Sequence, residues 1–175
     1  MTYAISLKCT NDTAAPILDL WDQASAFEAA PSMASLNYPP HLTLAIYENI
    51  HVDRLRAALG VAFRDLPAFS MEFSGIRHFD NESLVLWAFP IPNDALREAH
   101  ESLHREIDPA LCHEHYRPGS WKPHCTLATK IPIASAEAAL RWAAGTPARF
   151  TAVFDVADCV RAYPVEILDE VRLTR

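Results

Sequence analysis

The chain has no apolar run approaching the roughly 18–20 residues that a membrane span needs, which sets a membrane partner aside. Its first residues, Met1-Thr2-Tyr3-Ala4-Ile5, lack a basic stretch followed by an apolar one, so no secretory signal is read there. Cysteine is scarce. Cys9, Cys112, Cys125 and Cys159 are scattered, with no CxxC pair, and the expectation is reduced thiols in a cytoplasmic protein. Positive charge is short as well: 15 Lys and Arg against 22 Asp and Glu leave a net −7. A protein that lives on long or duplex nucleic acid needs a broad basic surface, and this composition excludes one. A small phosphate-bearing ligand, or the end of an RNA strand, needs only a few local donors and stays open. What is abundant is apolar surface, 50% of 175 residues, enough to bury the core of one globular unit or two small lobes.

Thr2–Lys8 alternates Tyr3, Ile5 and Leu7 against polar or small residues and predicts a strand. Ile17, Leu18, Trp21 and Phe27 predict a helix near 13–28, after the cap choices Asn11-Asp12-Thr13. A strand at 41–47, a helix at about 51–64 and a strand from Phe69 to about His78 follow. The turn Asp80-Asn81-Glu82-Ser83 leads to a strand at 84–89. Leu96, Ala99, Leu103 and Ile107 share a helix face, and 108–120, with Pro109, Pro118 and Gly119, reads as a loop. The rest is a strand at 124–130, a helix at 135–144 closed by Gly145, and strands at 149–160 and 165–173 hinged near Tyr163-Pro164.

One motif is spelled twice. Pro40-His41-Leu42-Thr43-Leu44-Ala45 returns as Pro123-His124-Cys125-Thr126-Leu127-Ala128, 83 residues on. Each copy sits in the same order of strand, helix, motif strand, helix, strand, which predicts an internally duplicated chain. The expected fold is α+β and bilobal: one domain over 1–175, with repeats at about 1–79 and 82–175. Two pseudo-twofold-related lobes would each carry an antiparallel sheet flanked by helices, with a cleft between them. Strand side chains alternate faces, so His41, Thr43 and Tyr47 share one face, as do His124, Thr126, Ala128 and Lys130. Two facing imidazoles can divide a hydrolysis, one taking a proton from water and the other giving one to the leaving oxygen. The Thr hydroxyls can donate to non-bridging phosphate oxygens. This chemistry needs neither a cofactor nor a covalent nucleophile.

Paired H-x-T motifs, one per lobe, make the chain resemble the 2H phosphoesterase superfamily, which includes 2′-5′ RNA ligase-like proteins and cyclic phosphodiesterases. The resemblance covers the whole chain in length and element order. It implies catalysis by His41 and His124, with His124 as base, and phosphate binding by Thr43 and Thr126. The implied substrate is a small nucleotide 2′,3′-cyclic phosphate, a related 2′-5′ phosphodiester or an RNA terminus, and the protein is expected to act as a monomer. The RNA ligase-like branch often has Arg five residues after the second His. Thr129 stands there, and Lys130 is the candidate to replace that charge at phosphate.

Tyr38 and Trp121, each three residues before a motif His, can stack on a base or pack their loop against its own lobe. Tyr47 is a further stacking candidate, and Arg117 a phosphate contact or an exposed loop residue. His100-Glu101-Ser102-Leu103-His104 matches H-E-x-x-H and opens the alternative of a zinc hydrolase. His113-Glu114-His115 is another possible metal pair; His51 and His78 have no partner motif. A nucleotide-binding module without turnover, or repeats that only pack, complete the alternatives.

Overall fold

The computed structural model describes residues 1–80 and 82–174. Asn81, in the expected turn, and Arg175 lie outside the described residues. Eight strands and four helices run in the order β1 (Thr2–Lys8), α1 (Ala15–Ser25), β2 (His41–Glu48), α2 (Val52–Phe63), β3 (Phe69–Asp80), β4 (Leu84–Pro90), α3 (Asp94–Glu106), β5 (Cys125–Ile131), α4 (Ile133–Gly145), β6 (Arg149–Phe154), β7 (Val156–Arg161) and β8 (Glu166–Arg172). They form two four-stranded antiparallel sheets, ordered β2-β1-β7-β8 and β5-β4-β3-β6. Among the described residues no helix is long and apolar enough to cross a membrane.

The helices follow their apolar spacing. Ile17, Leu20, Trp21 and Ala24 put one face of α1 in the core, behind Pro16 in the first turn. Asn93 caps α3 by accepting from the Leu96 N–H, and Leu96, Ala99, His100, Leu103 and His104 form its buried face. The segment 108–120 is an irregular connection holding two short 3-10 turns. One continuous apolar core runs through both lobes.

Two expectations are corrected. The strand foreseen at 149–160 is two strands, broken at Asp155, and the halves lie in different sheets. Asp155 fixes the crossing: its carboxylate accepts from the Thr10 N–H and hydroxyl at 2.8 and 2.9 Å, while its own N–H donates to the Lys8 carbonyl. The sheets are also not contiguous halves of the sequence. β3, from the first repeat, joins the second sheet beside β4, and β7 returns to the first sheet beside β1. The repeats exchange a strand, which ties the lobes together. The two motif strands, β2 and β5, lie against each other between the sheets.

Candidate active site

His41 opens β2 and His124 immediately precedes β5. Each ring is held the same way. His41 Nδ1 lies 2.9 Å from the Pro39 carbonyl, and His124 Nδ1 lies 2.7 Å from the Lys122 carbonyl. A carbonyl only accepts, so both Nδ1 atoms carry the proton and both Nε2 atoms are left for chemistry. His41, Thr43, His124 and Thr126 together line one cavity of about 220 Å³. His124 and Thr126 also line a neighbouring chamber of about 560 Å³, so the two spaces meet at the second motif.

The backbone breaks the simple alternation just past each Thr. Ile5 pairs with Ala45 but Ser6 with Thr43, leaving Leu44 as an extra residue. Leu86 pairs with Ala128 but Trp87 with Thr126, leaving Leu127 extra at the equivalent place. These are β-bulges, and each reverses the face of the residues just beyond it; β5 shifts register once more before Ile131. Leu44 and Ala45 are therefore buried in succession, as are Leu127 and Ala128. Three expectations fall together. Ala128 is buried rather than on the cleft face, and Tyr47 is fully buried and cannot stack on a ligand. Lys130 is exposed and does not line the cleft. Ile46 and Thr129 face the cavity in their stead.

An indole N–H reaches each bulge. Trp21 Nε1 donates to the Thr126 carbonyl at 2.9 Å, and Trp121 Nε1 to the Thr43 carbonyl at 3.1 Å. Trp121 is thus committed across the lobes, and its other face stacks on His100 at 4.0 Å between centroids. Tyr38 lines the cavity but is buried, edge-on to His41 at 4.7 Å, its hydroxyl donating to Asp158 at 2.7 Å. Asp158 is also paired with Lys8 at 3.0 Å, and Lys8 with Glu170 at 3.0 Å. His124 instead sits edge-on to Phe79 and Trp87, at 5.1 and 5.8 Å. Burial pushes the His41 imidazole down to about 4, and the neighbouring His124 and Lys8 add to that. Burial lowers His124 as well, against the bond to Lys122.

Arg117 closes its own loop, donating to the carbonyls of Cys112 and Ala110, and does not line the cleft. The H-E-x-x-H segment does not fit zinc. His100 and His104 are buried with both Nε2 atoms on the Tyr116 carbonyl, at 2.8 and 3.1 Å, where each must donate and so offers no lone pair from that nitrogen. Glu101 turns outward to Arg97. Among the described residues no group of three His, Cys, Asp or Glu is arranged to hold a metal ion. His113 is exposed, with its ring 5.1 Å from that of His115, and His115 lines the larger chamber. His51 caps α2, and His78 lies 3.7 Å from Asp80.

The sequence reading missed Tyr116 and Tyr163, which line both chambers, and Trp21, which holds the second motif strand. Tyr163 was visible only as a hinge beside Pro164. Trp21 falls on the apolar stripe of α1 and carries no separate signal.

The fold has known counterparts. A protein of Thermus thermophilus superimposes with a TM-score of 0.66 at 20% identity, covering 99% of this chain and 98% of that one. Escherichia coli LigT in complex with 3′-AMP gives 0.66 at 16% identity (99% and 98% covered), and LigT with NADP+ gives 0.62 at 15% (99% and 97% covered). At these identities the likeness shows the fold. No curated protein sequence matches significantly. The family model described as the 2′-5′ RNA ligase superfamily matches residues 16–157, and the chain belongs to that family.

Proposed function

We propose that this protein is a metal-independent phosphoesterase that opens 2′,3′-cyclic or related nucleotide cyclic phosphates, or cleaves 2′-5′ phosphodiester bonds. The observation that carries the reading is the matched pair of imidazoles, each anchored through Nδ1 to a carbonyl two residues upstream and each beside a Thr in one cavity. In the hydrolysis, His124 Nε2 takes a proton from water as the water oxygen bonds to phosphorus. The bond from phosphorus to the leaving sugar oxygen breaks, and His41 Nε2–H supplies the proton that oxygen needs. Thr43 and Thr126 donate to the non-bridging oxygens, whose charge persists through the transition state. His124 ends protonated and His41 neutral; exchange with solvent resets the pair.

The assignment of His124 as base and His41 as acid follows the family resemblance, and the pH profile of single-residue variants tests it. The nucleotide class is supported by LigT, crystallised with 3′-AMP and with NADP+. The test is turnover in EDTA of nucleoside 2′,3′-cyclic phosphates, ADP-ribose 1″,2″-cyclic phosphate and 2′-5′-linked oligonucleotides. Chelator-insensitive hydrolysis of at least one is expected. Activity that requires added metal, or none on any of the three classes, overturns the reading.

A further inference from the structure

The cleft's lining is sharply unlike the rest of the surface. The chain carries seven more acidic than basic side chains, yet no Asp or Glu lines either chamber among the described residues. Apart from the two imidazoles, the smaller chamber has no Lys, Arg, Asp or Glu in its lining among the described residues; Met33, Leu36, Ile46, Val160 and Val165 supply its apolar wall. Among the described residues Lys122 is the one Lys or Arg that lines the cleft; it lies in the larger chamber, which His115 and Ser120 also line. Lys122 is exposed and forms no ion pair among the described residues, while its backbone carbonyl anchors His124. Its Cα therefore lies no more than about 7 Å from that of the catalytic imidazole. Its side chain lines the chamber that His124 and Thr126 also line, within reach of the phosphoryl site.

Building on the phosphoesterase reading, we propose that Lys122, His115 and Ser120 form a second anion subsite for a further phosphate of the same substrate. The uncharged arm of the substrate then lies in the apolar chamber and the anionic arm in the larger one. The preferred substrates are nucleotides with a second phosphate, either on the 5′ oxygen or as the next phosphodiester of an RNA end, over plain nucleoside 2′,3′-cyclic phosphates. Thr129, which lines both chambers and brings no charge, leaves that attraction to Lys122.

The experiment compares KM for a nucleoside 2′,3′-cyclic phosphate, its 5′-phosphorylated form and a dinucleotide ending in the same cyclic phosphate, in wild type, Lys122→Gln and Lys122→Arg. A partly exposed ion pair of this kind makes the extra phosphate worth about fivefold in KM, weakening as salt rises. Lys122→Gln is expected to collapse the ratio to about one, and Lys122→Arg to restore it. Preference for the 5′-phosphorylated form alone names the nucleotide as the source; preference for the dinucleotide alone names the RNA end. Equal KM values in wild type, or a preference that survives Lys122→Gln, overturn the subsite and leave the phosphoesterase reading standing. Absence of turnover on all three defeats that reading instead. Calorimetric binding of adenosine 3′-monophosphate against adenosine 3′,5′-bisphosphate then tests the subsite by the same ratio.

Discussion

Lys8 pairs with His41 across the β1–β2 ladder; in the β4–β5 ladder Ala88 pairs with Cys125, and Phe89 follows it at the place in the repeat that matches Lys8. The two positions are filled with opposite chemistry. Behind His41 lies a buried ionic network: Lys8 with Asp158 and Glu170, and Tyr38 closing on Asp158. Behind His124 lies aromatic surface: Phe79 stacked on Trp87 at 4.9 Å, with Phe89 next to Trp87 and covered in turn by Arg77 at 3.3 Å. The anchoring of the rings is identical and their backing is not. Duplication supplied two equivalent imidazoles; divergence of the layer behind them gives one an ionic network and the other stacked aromatic rings.

The comparison breaks most severely at the rings. His41→Ala and His124→Ala are each expected to cost about 10²–10⁴-fold in kcat while nucleotide binding is retained, by parallel kinetics and calorimetry. A next, smaller effect separates the two backings. Lys8→Met strands the fully buried Asp158 carboxylate and is expected to cost about 3–5 kcal/mol of unfolding free energy. Phe89→Leu, at the matching place, only trims apolar contact and is expected to cost about 1 kcal/mol. Urea melts of both variants check this, and equal losses would deny that the lobes are stabilised differently.

The imidazoles also sharpen the comparison through pH. His41 has its folded pKa lowered to about 4 from an ordinary 6.5, so between these values the unfolded chain binds the extra proton. Stability is therefore full above about pH 6.5 and falls as pH drops toward 4, by about 3 kcal/mol from this ring. Burial of His100 and His124 works in the same direction. Melting curves for wild type and His41→Ala are expected to converge on acidification. A further loss is expected at the bulges: Trp21→Phe and Trp121→Phe each leave a Thr carbonyl without its indole donor, at about 1–3 kcal/mol by urea melts.

The sequence made the sheets and helices legible because their apolar residues repeat at the periods of two and 3.6. It made the active pair legible because His and Thr recur in two matched settings. The bulges were hidden. His41-Leu42-Thr43-Leu44-Ala45 reads as plain alternation, and nothing in it marks Leu44 as an extra residue, so Tyr47 and Lys130 were assigned the cleft face that Ile46 and Thr129 occupy. The exchange of β3 and β7 between sheets was hidden too. The run from Arg149 to Val160 is continuous in strand-forming residues, and only Asp155, tied to Thr10, turns it. Lys8 and Asp158 lie 150 residues apart, so their pairing has no local signature.

The central claim is that the two imidazoles act on one phosphoryl group as base and acid. It is tested most directly by the pH dependence of single-turnover hydrolysis of a nucleoside 2′,3′-cyclic phosphate in wild type, His124→Ala and His41→Ala. The account predicts a bell in wild type, loss of its acidic limb in His124→Ala and loss of its alkaline limb in His41→Ala. A bell that survives either substitution unchanged contradicts it.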